Sequence, residues 1–177
     1  MGSRVALSLI APVALALAGC ASDESPAPQP PACPPTLILQ GAERTAAYSP
    51  GADPTPSALQ HMAVLTNLAS ACSFGGDGVD VDLAFDLIAE RGPAMTGDTA
   101  ELTYFVATLG PGEEVLAKQL LTSEIAFEPE ERVAGIAEEL TYRLPSVTAG
   151  QGQGYLIYLG FQLDPAELDQ RLQPLFR

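Results

Sequence analysis

The sequence predicts an all-β domain: an antiparallel, immunoglobulin-like β-sandwich of about seven strands with a short C-terminal helix. Three observations carry that reading. Short apolar runs recur at regular spacing, each bounded by glycine or proline. Residues 79–90 alternate cleanly, with Val79, Val81, Leu83, Phe85, Leu87 and Ala89 on one face and Asp80, Asp82, Asp86 and Glu90 on the other, Ala84 and Ile88 lying between the acids. A strand repeats every two residues, so this run is a half-buried strand with one wet face. Finally, no strand–helix–strand alternation is visible, which argues against a parallel sheet.

The elements follow in chain order. MGSR is a short N-region with one positive charge, Arg4, and VALSLIAPVALALA is an apolar stretch too short for a comfortable membrane span. LAGC (17–20) then resembles the bacterial lipobox, in which a small residue precedes a cysteine that is lipidated on its thiol and becomes the new N-terminus. Residues 1–19 are expected to be a lipoprotein signal peptide and Cys20 the lipidation site; the alternative is an ordinary signal peptide with an incidental cysteine. Residue 21 is Ala rather than Asp. The expected place is therefore the bacterial cell envelope, lipid-anchored, at the outer membrane facing the periplasm. Several acyl chains on one cysteine hold firmly, whereas a single chain anchors only marginally.

Residues 20–35 are expected to be the lipidated cysteine and a tether. Six of the 13 residues of DESPAPQPPACPP (23–35) are proline. That composition favours extended polyproline II, which spans on the order of 40 Å at about 3.1 Å per residue. Residues 36–177 form the expected domain. TLILQ (36–40) is the first apolar run, and a long connection (41–57) leaves room for a short edge segment. The second strand is expected at 62–74, with Met62, Val64, Leu68, Cys72 and Phe74 on one face. Residues 79–90 and 101–109 follow. Residues 115–127 are apolar enough to bury much of both faces. Residues 132–144 form a weaker strand, part helical around 134–139, and 154–163 form the last. DPAELDQRLQ then changes period. Asp164 stands at an N-cap position, Pro165 at N1 and Glu167 at N3, which predicts a helix of two to three turns.

Charge and cysteines narrow the function. Without residues 1–19, seven basic residues stand against 22 acidic ones, a formal charge of −15. Such a surface repels phosphate backbones and anionic lipid headgroups, so nucleic acid is excluded and the anchor on Cys20 must hold the membrane. Cys33 and Cys72 remain in a compartment where disulfides persist. A Cys33–Cys72 bridge, contributing roughly 3–4 kcal/mol for a loop of about 40 residues, stands against two free or buried thiols.

Candidate chemistry is sparse, and no catalytic residue, cofactor or metal site is assigned. His61 is the single histidine, and no GxSxG surrounds any serine. At a strand edge His61 reads as a polar surface residue. The glycines of AGQGQGY (149–155) have the wrong spacing for a dinucleotide loop and read as a hairpin loop. Glu138 and Glu139 point to opposite faces if they lie on a strand; Glu113 with Glu114 is paired only by adjacency, and EPEE (128–131) reads as a solvated turn. Lys118, inside VLAKQLL, marks either a buried functional amine or a solvent-facing position on an edge strand. GGDGVDVDL (75–83) nearly spells a calcium-binding β-helix repeat. It occurs once, with Asp82 where a large apolar residue belongs, so the reading is a tight turn into a strand, with weak divalent binding as the alternative.

Taken together, the lipobox, an early CP, LxGAER, a cysteine before GVDVDL, AERGPA, YFVA, LAKQ and GFQLDPAEL resemble an uncharacterised family of alphaproteobacterial lipoproteins. The resemblance spans almost the whole chain after the signal. It implies an anchored envelope domain and adds no catalytic residue. The expectation is a non-enzymatic, membrane-anchored envelope lipoprotein, a binding or structural/assembly module with an envelope protein as partner. The alternatives are a weak divalent-metal or small-ligand binder, or an unrecognised hydrolase.

Overall fold

A computed structural model of the protein describes residues 31–164 and residue 167. In chain order its strands are β1 (Thr36–Ile38), β2 (Arg44–Tyr48), β3 (Leu59–Gly75), β4 (Gly78–Arg91), β5 (Thr99–Leu109), β6 (Val115–Ala126), β7 (Val133–Pro145) and β8 (Leu156–Phe161). They form a β-sandwich of two four-stranded sheets. The first runs β1-β8-β5-β6 and the second β2-β3-β4-β7. Every pairing is antiparallel except β1 with β8. Connections β2–β3, β3–β4 and β5–β6 stay within a sheet. The other four cross between sheets and wrap both around one core.

That core is the alternation made solid. Val81, Leu83, Phe85 and Leu87 of β4 meet Leu102 and Val106 of β5 and Ile157, Leu159 and Phe161 of β8, all almost fully buried. Phe85 meets Tyr104 edge to face at 5.4 Å between ring centres, the arrangement ring quadrupoles favour. One polar link is buried among them. Thr108 donates from Oγ1 to Tyr142 Oη at 3.1 Å, so neither hydroxyl is left unmatched.

Four expectations are corrected. The proposed apolar face of β3 splits in two. A bulge between Thr66 and Ala69, with Asn67 at φ 55°, inserts an extra step. Because strand side chains repeat every two residues, that step swaps faces. Before it His61, Ala63 and Leu65 point inward and Met62 is 44% exposed; after it Leu68, Cys72 and Phe74 turn toward the core. Asn tolerates the left-handed region that the bulge needs.

Second, β6 is not buried on both faces. It is the last strand of its sheet, and Val115, Leu116 and Leu120 are 66%, 52% and 56% exposed. Third, residues 134–139 are not helical. All of β7 pairs with β4, from Gly78 opposite Pro145 to Glu90 opposite Val133. Thirteen cross-strand partners outweigh the modest helix preference of AGIAEE. Finally, the glycine-rich stretch after β7 is a crossover rather than a hairpin loop, since β7 and β8 belong to different sheets.

The edge segment allowed for in the long connection is β2. At the C-terminus Glu167 is helical, and its N–H donates to Asp164 Oδ1 at 2.8 Å, the capping bond read from the sequence. The rest of the expected helix lies outside the described residues.

Candidate functional site

GGDGVDVDL folds as a turn and a strand. Gly75 pairs with Gly78, so Gly76 and Asp77 form a two-residue hairpin loop, with Gly76 at φ 59°. A positive φ at the first central residue is what glycine supplies in such loops. A Cβ on Gly78 would strike the Leu144 carbonyl oxygen, so β7 also needs glycine there. The carboxylates of the motif do not converge on an empty centre. Asp80 accepts from Arg143 Nη1 at 2.7 Å and Asp77 from Arg143 Nη2 at 3.3 Å, and Arg143 also reaches the Gly75 carbonyl. The hydrogen bond that Arg143 donates to Asp80 leads the effects that raise the pKa of Arg143 further.

The same matching runs up the outer face of β4. Asp82 accepts from Thr141 Oγ1 at 2.7 Å, Asp86 accepts from Asn67 Nδ2 at 2.6 Å, and Glu90 lies 3.5 Å from Arg132. Each acid therefore has one partner on or beside a flanking strand. A shallow depression of about 580 Å³, lined by Ala69, Ala71, Ala84 and Glu139 among others, lies on this face around Asp82. Its central carboxylate is already bonded.

The remaining sequence candidates fall in separate places. Cys33 and Cys72 form the disulfide, with Cα atoms 5.7 Å apart. Cys20 lies outside the described residues. Just past Cys33, Pro35 accepts from Ile157 N at 2.9 Å. The bridge therefore ties the start of the first sheet to the far end of β3 in the second. Gly152 seals the same corner, since a Cβ there would collide with the Ala32 carbonyl oxygen. His61 is not a surface residue. It is 8% exposed on the inner side of β3, and burial pushes its pKa below the ordinary histidine value. Glu138 and Glu139 do point to opposite sides, Glu138 half-buried and Glu139 exposed. Burial first, then the Glu138 charge, raise the Tyr104 pKa, and a hydrogen bond from Ser123 opposes them. EPEE is a turn closed by Glu131, whose N–H donates to the Glu128 carbonyl and whose carboxylate accepts from Glu128 N.

Lys118 occupies the exposed edge position. Its ammonium stands 4.4 Å from the centre of the Phe105 ring and donates to Gln162 Oε1 at 2.7 Å. Around it the outer face of the first sheet is apolar. Leu37, Tyr158, Ala107 and Lys118 form one cross-sheet row, and Phe105 and Leu120 lie in the next. This face differs in kind from the acid-lined outer face of β4.

Sequence reasoning missed Asn67, Thr141 and Arg143, the partners of the acids. Only their polarity within apolar strands signalled them, since the register that brings them opposite β4 is set by the tertiary fold. Comparison with protein-family models finds no match, and comparison with curated proteins finds no significant one.

Proposed function

We propose that this protein is a membrane-anchored envelope lipoprotein, lipidated on Cys20, whose sandwich serves as a non-catalytic binding or assembly module at the outer membrane. The observation that carries the reading is the exposed apolar end of the outer face of the β1-β8-β5-β6 sheet, where Leu37, Leu116 and Leu120 stand about half exposed. A monomer gains nothing from leaving Leu116 and Leu120 more than half exposed beside Lys118, and large exposed apolar patches mark interaction surfaces. The acidic face opposite keeps the domain soluble and away from anionic headgroups. No helix among the described residues is long and apolar enough to cross a membrane; attachment is assigned to the lipid on Cys20 because of the LAGC motif. The partner is another envelope protein with an apolar contact surface.

Labelled-palmitate incorporation and membrane fractionation test the anchor. Wild type should incorporate label and sediment with membranes, and Cys20→Ala should do neither. A Cys20→Ala chain that stayed with the membrane would defeat the lipoprotein reading. Cross-linking in intact membranes tests the module. Wild type should trap an envelope protein through the apolar face, and Leu116→Asp with Leu37→Asp should lose it.

A further inference from the structure

A sandwich has four sheet edges, and three of them here are protected. β1 and β2 are only three and five residues long. β7 is long, but it carries Glu138 on its half-buried side, Glu139 and Arg143 on its exposed side, and Pro145 at its end. Short strands, edge charges, inward charges and proline are the usual means of preventing a further strand from pairing. The twelve residues of β6 have almost none of this protection: no proline, no glycine, and charges only at Lys118 and Glu124.

Those two charges specify a partner. Glu124 lies directly opposite Glu101 of β5, and among the described residues neither has a basic partner. Like charges at directly opposed positions are destabilising. Lys118, Leu120 and Glu124 share the outer face, two residues apart or multiples of two. If two copies of β6 pair antiparallel about a two-fold axis, opposed residues lie on the same face, so the axis can move only in whole-residue steps. With the axis at Leu121, Lys118 of each copy stands opposite Glu124 of the other, and Leu120 opposite Thr122. With the axis at Leu120 or Thr122, Glu124 stands opposite a leucine instead.

We propose that β6 is a self-association edge, through which two copies of this chain pair antiparallel about Leu121 to form one eight-stranded sheet. Such an interface is isologous and closes on itself. On pairing, the ammonium of Lys118 leaves Gln162 Oε1 and the Phe105 ring and turns to Glu124 of the partner subunit, relieving the Glu101–Glu124 repulsion. The apolar outer faces of the two copies become one surface. The proposal is independent of the lipid anchor, because Cys20→Ala leaves β6 unchanged.

The test uses the full chain in mild detergent, with its mass read by light scattering over a concentration series. Wild type should be a dimer. Lys118→Glu and Glu124→Lys should each weaken dimerisation roughly ten- to a hundred-fold. The double exchange, Lys118→Glu with Glu124→Lys, should restore it. Leu121→Cys should cross-link to itself on oxidation, and Val115→Cys should not, lying some 12 residues from its copy. A monomeric wild type, failure of the double exchange to rescue, or stronger cross-linking at 115 than at 121 would each overturn the proposal. So would a Leu121→Cys chain captured by a different protein in place of its own copy.

Discussion

Along one flank of the sandwich, β1 and β2 are three and five residues long, and the chain itself passes from sheet to sheet. There Ala42 is buried, Phe161 N of the first sheet donates to its carbonyl, and Leu65 N of the second sheet donates to the Glu43 carbonyl. The Thr36 hydroxyl bonds Ser70 across the same flank, and Cys33–Cys72 adds a covalent tie. Along the opposite flank, β6 and β7 run twelve and thirteen residues, and each is the last strand of its sheet among the described residues. Composition alone does not bury a strand. β4 and β6 are both rich in leucine and valine. β4 lies between β3 and β7 and buries one whole face, whereas β6, paired among the described residues only with β5, turns Leu121 toward the core and leaves Leu116 and Leu120 in water.

The largest effect should come from opening the closed flank. Cys33→Ser with Cys72→Ser should cost about 4 kcal/mol in denaturant unfolding, as expected for a closed loop of about 40 residues. A loss below ~1 kcal/mol would mean that the hydrogen bonds, not the bridge, hold that flank.

Next comes the contrast between the central strand and the edge. Leu87→Ala removes a fully buried side chain and should cost roughly 3 kcal/mol. Leu120→Ala, measured in a Lys118→Glu background to keep the chain monomeric, should cost under about 0.5 kcal/mol. Equal losses at the two sites would place β6 in the core and erase the comparison.

Smaller still is the acid face. Arg143→Ala should lower stability slightly at low salt, and the difference should vanish near 1 M salt, where exposed charges are screened. The calcium alternative is checked on the same residues. Titration calorimetry with calcium should show no micromolar site, and a site lost in Asp77→Ala and Asp80→Ala would reverse the reading of the turn.

The last effect is a pH slope from His61. Its folded pKa is lowered by burial, so below about pH 6.5 the unfolded chain binds the proton more readily than the folded one. Stability from this group is therefore undiminished above pH 6.5 and falls as pH drops toward the folded pKa. His61→Gln should flatten that part of the stability–pH curve relative to wild type. An unchanged slope would show that the carboxylates alone set it.

Much of this was legible from local pattern. The alternation of residues 79–90 assigned both faces of β4 correctly, because period-two patterning is a local property. The disulfide pair and the bond between Asp164 and Glu167 N could also be read from residue type and spacing. Strand order could not. Whether VLAKQLLTSEIA is central or peripheral depends on which strands flank it, and nothing inside the segment records that. The face swap in β3 rests on the single backbone conformation of Asn67. The burial of His61 follows from that swap, since it belongs to the parity that points inward before the bulge.

Amide hydrogen exchange of β6 in the full chain, wild type against Lys118→Glu, tests most directly whether the open flank is closed by a second copy. The β6 amides not bonded to β5 should exchange slowly in wild type and fast in Lys118→Glu, while the free-edge amides of β7 exchange alike in both. Fast exchange along that edge of β6 in the wild-type chain at high concentration would contradict the account.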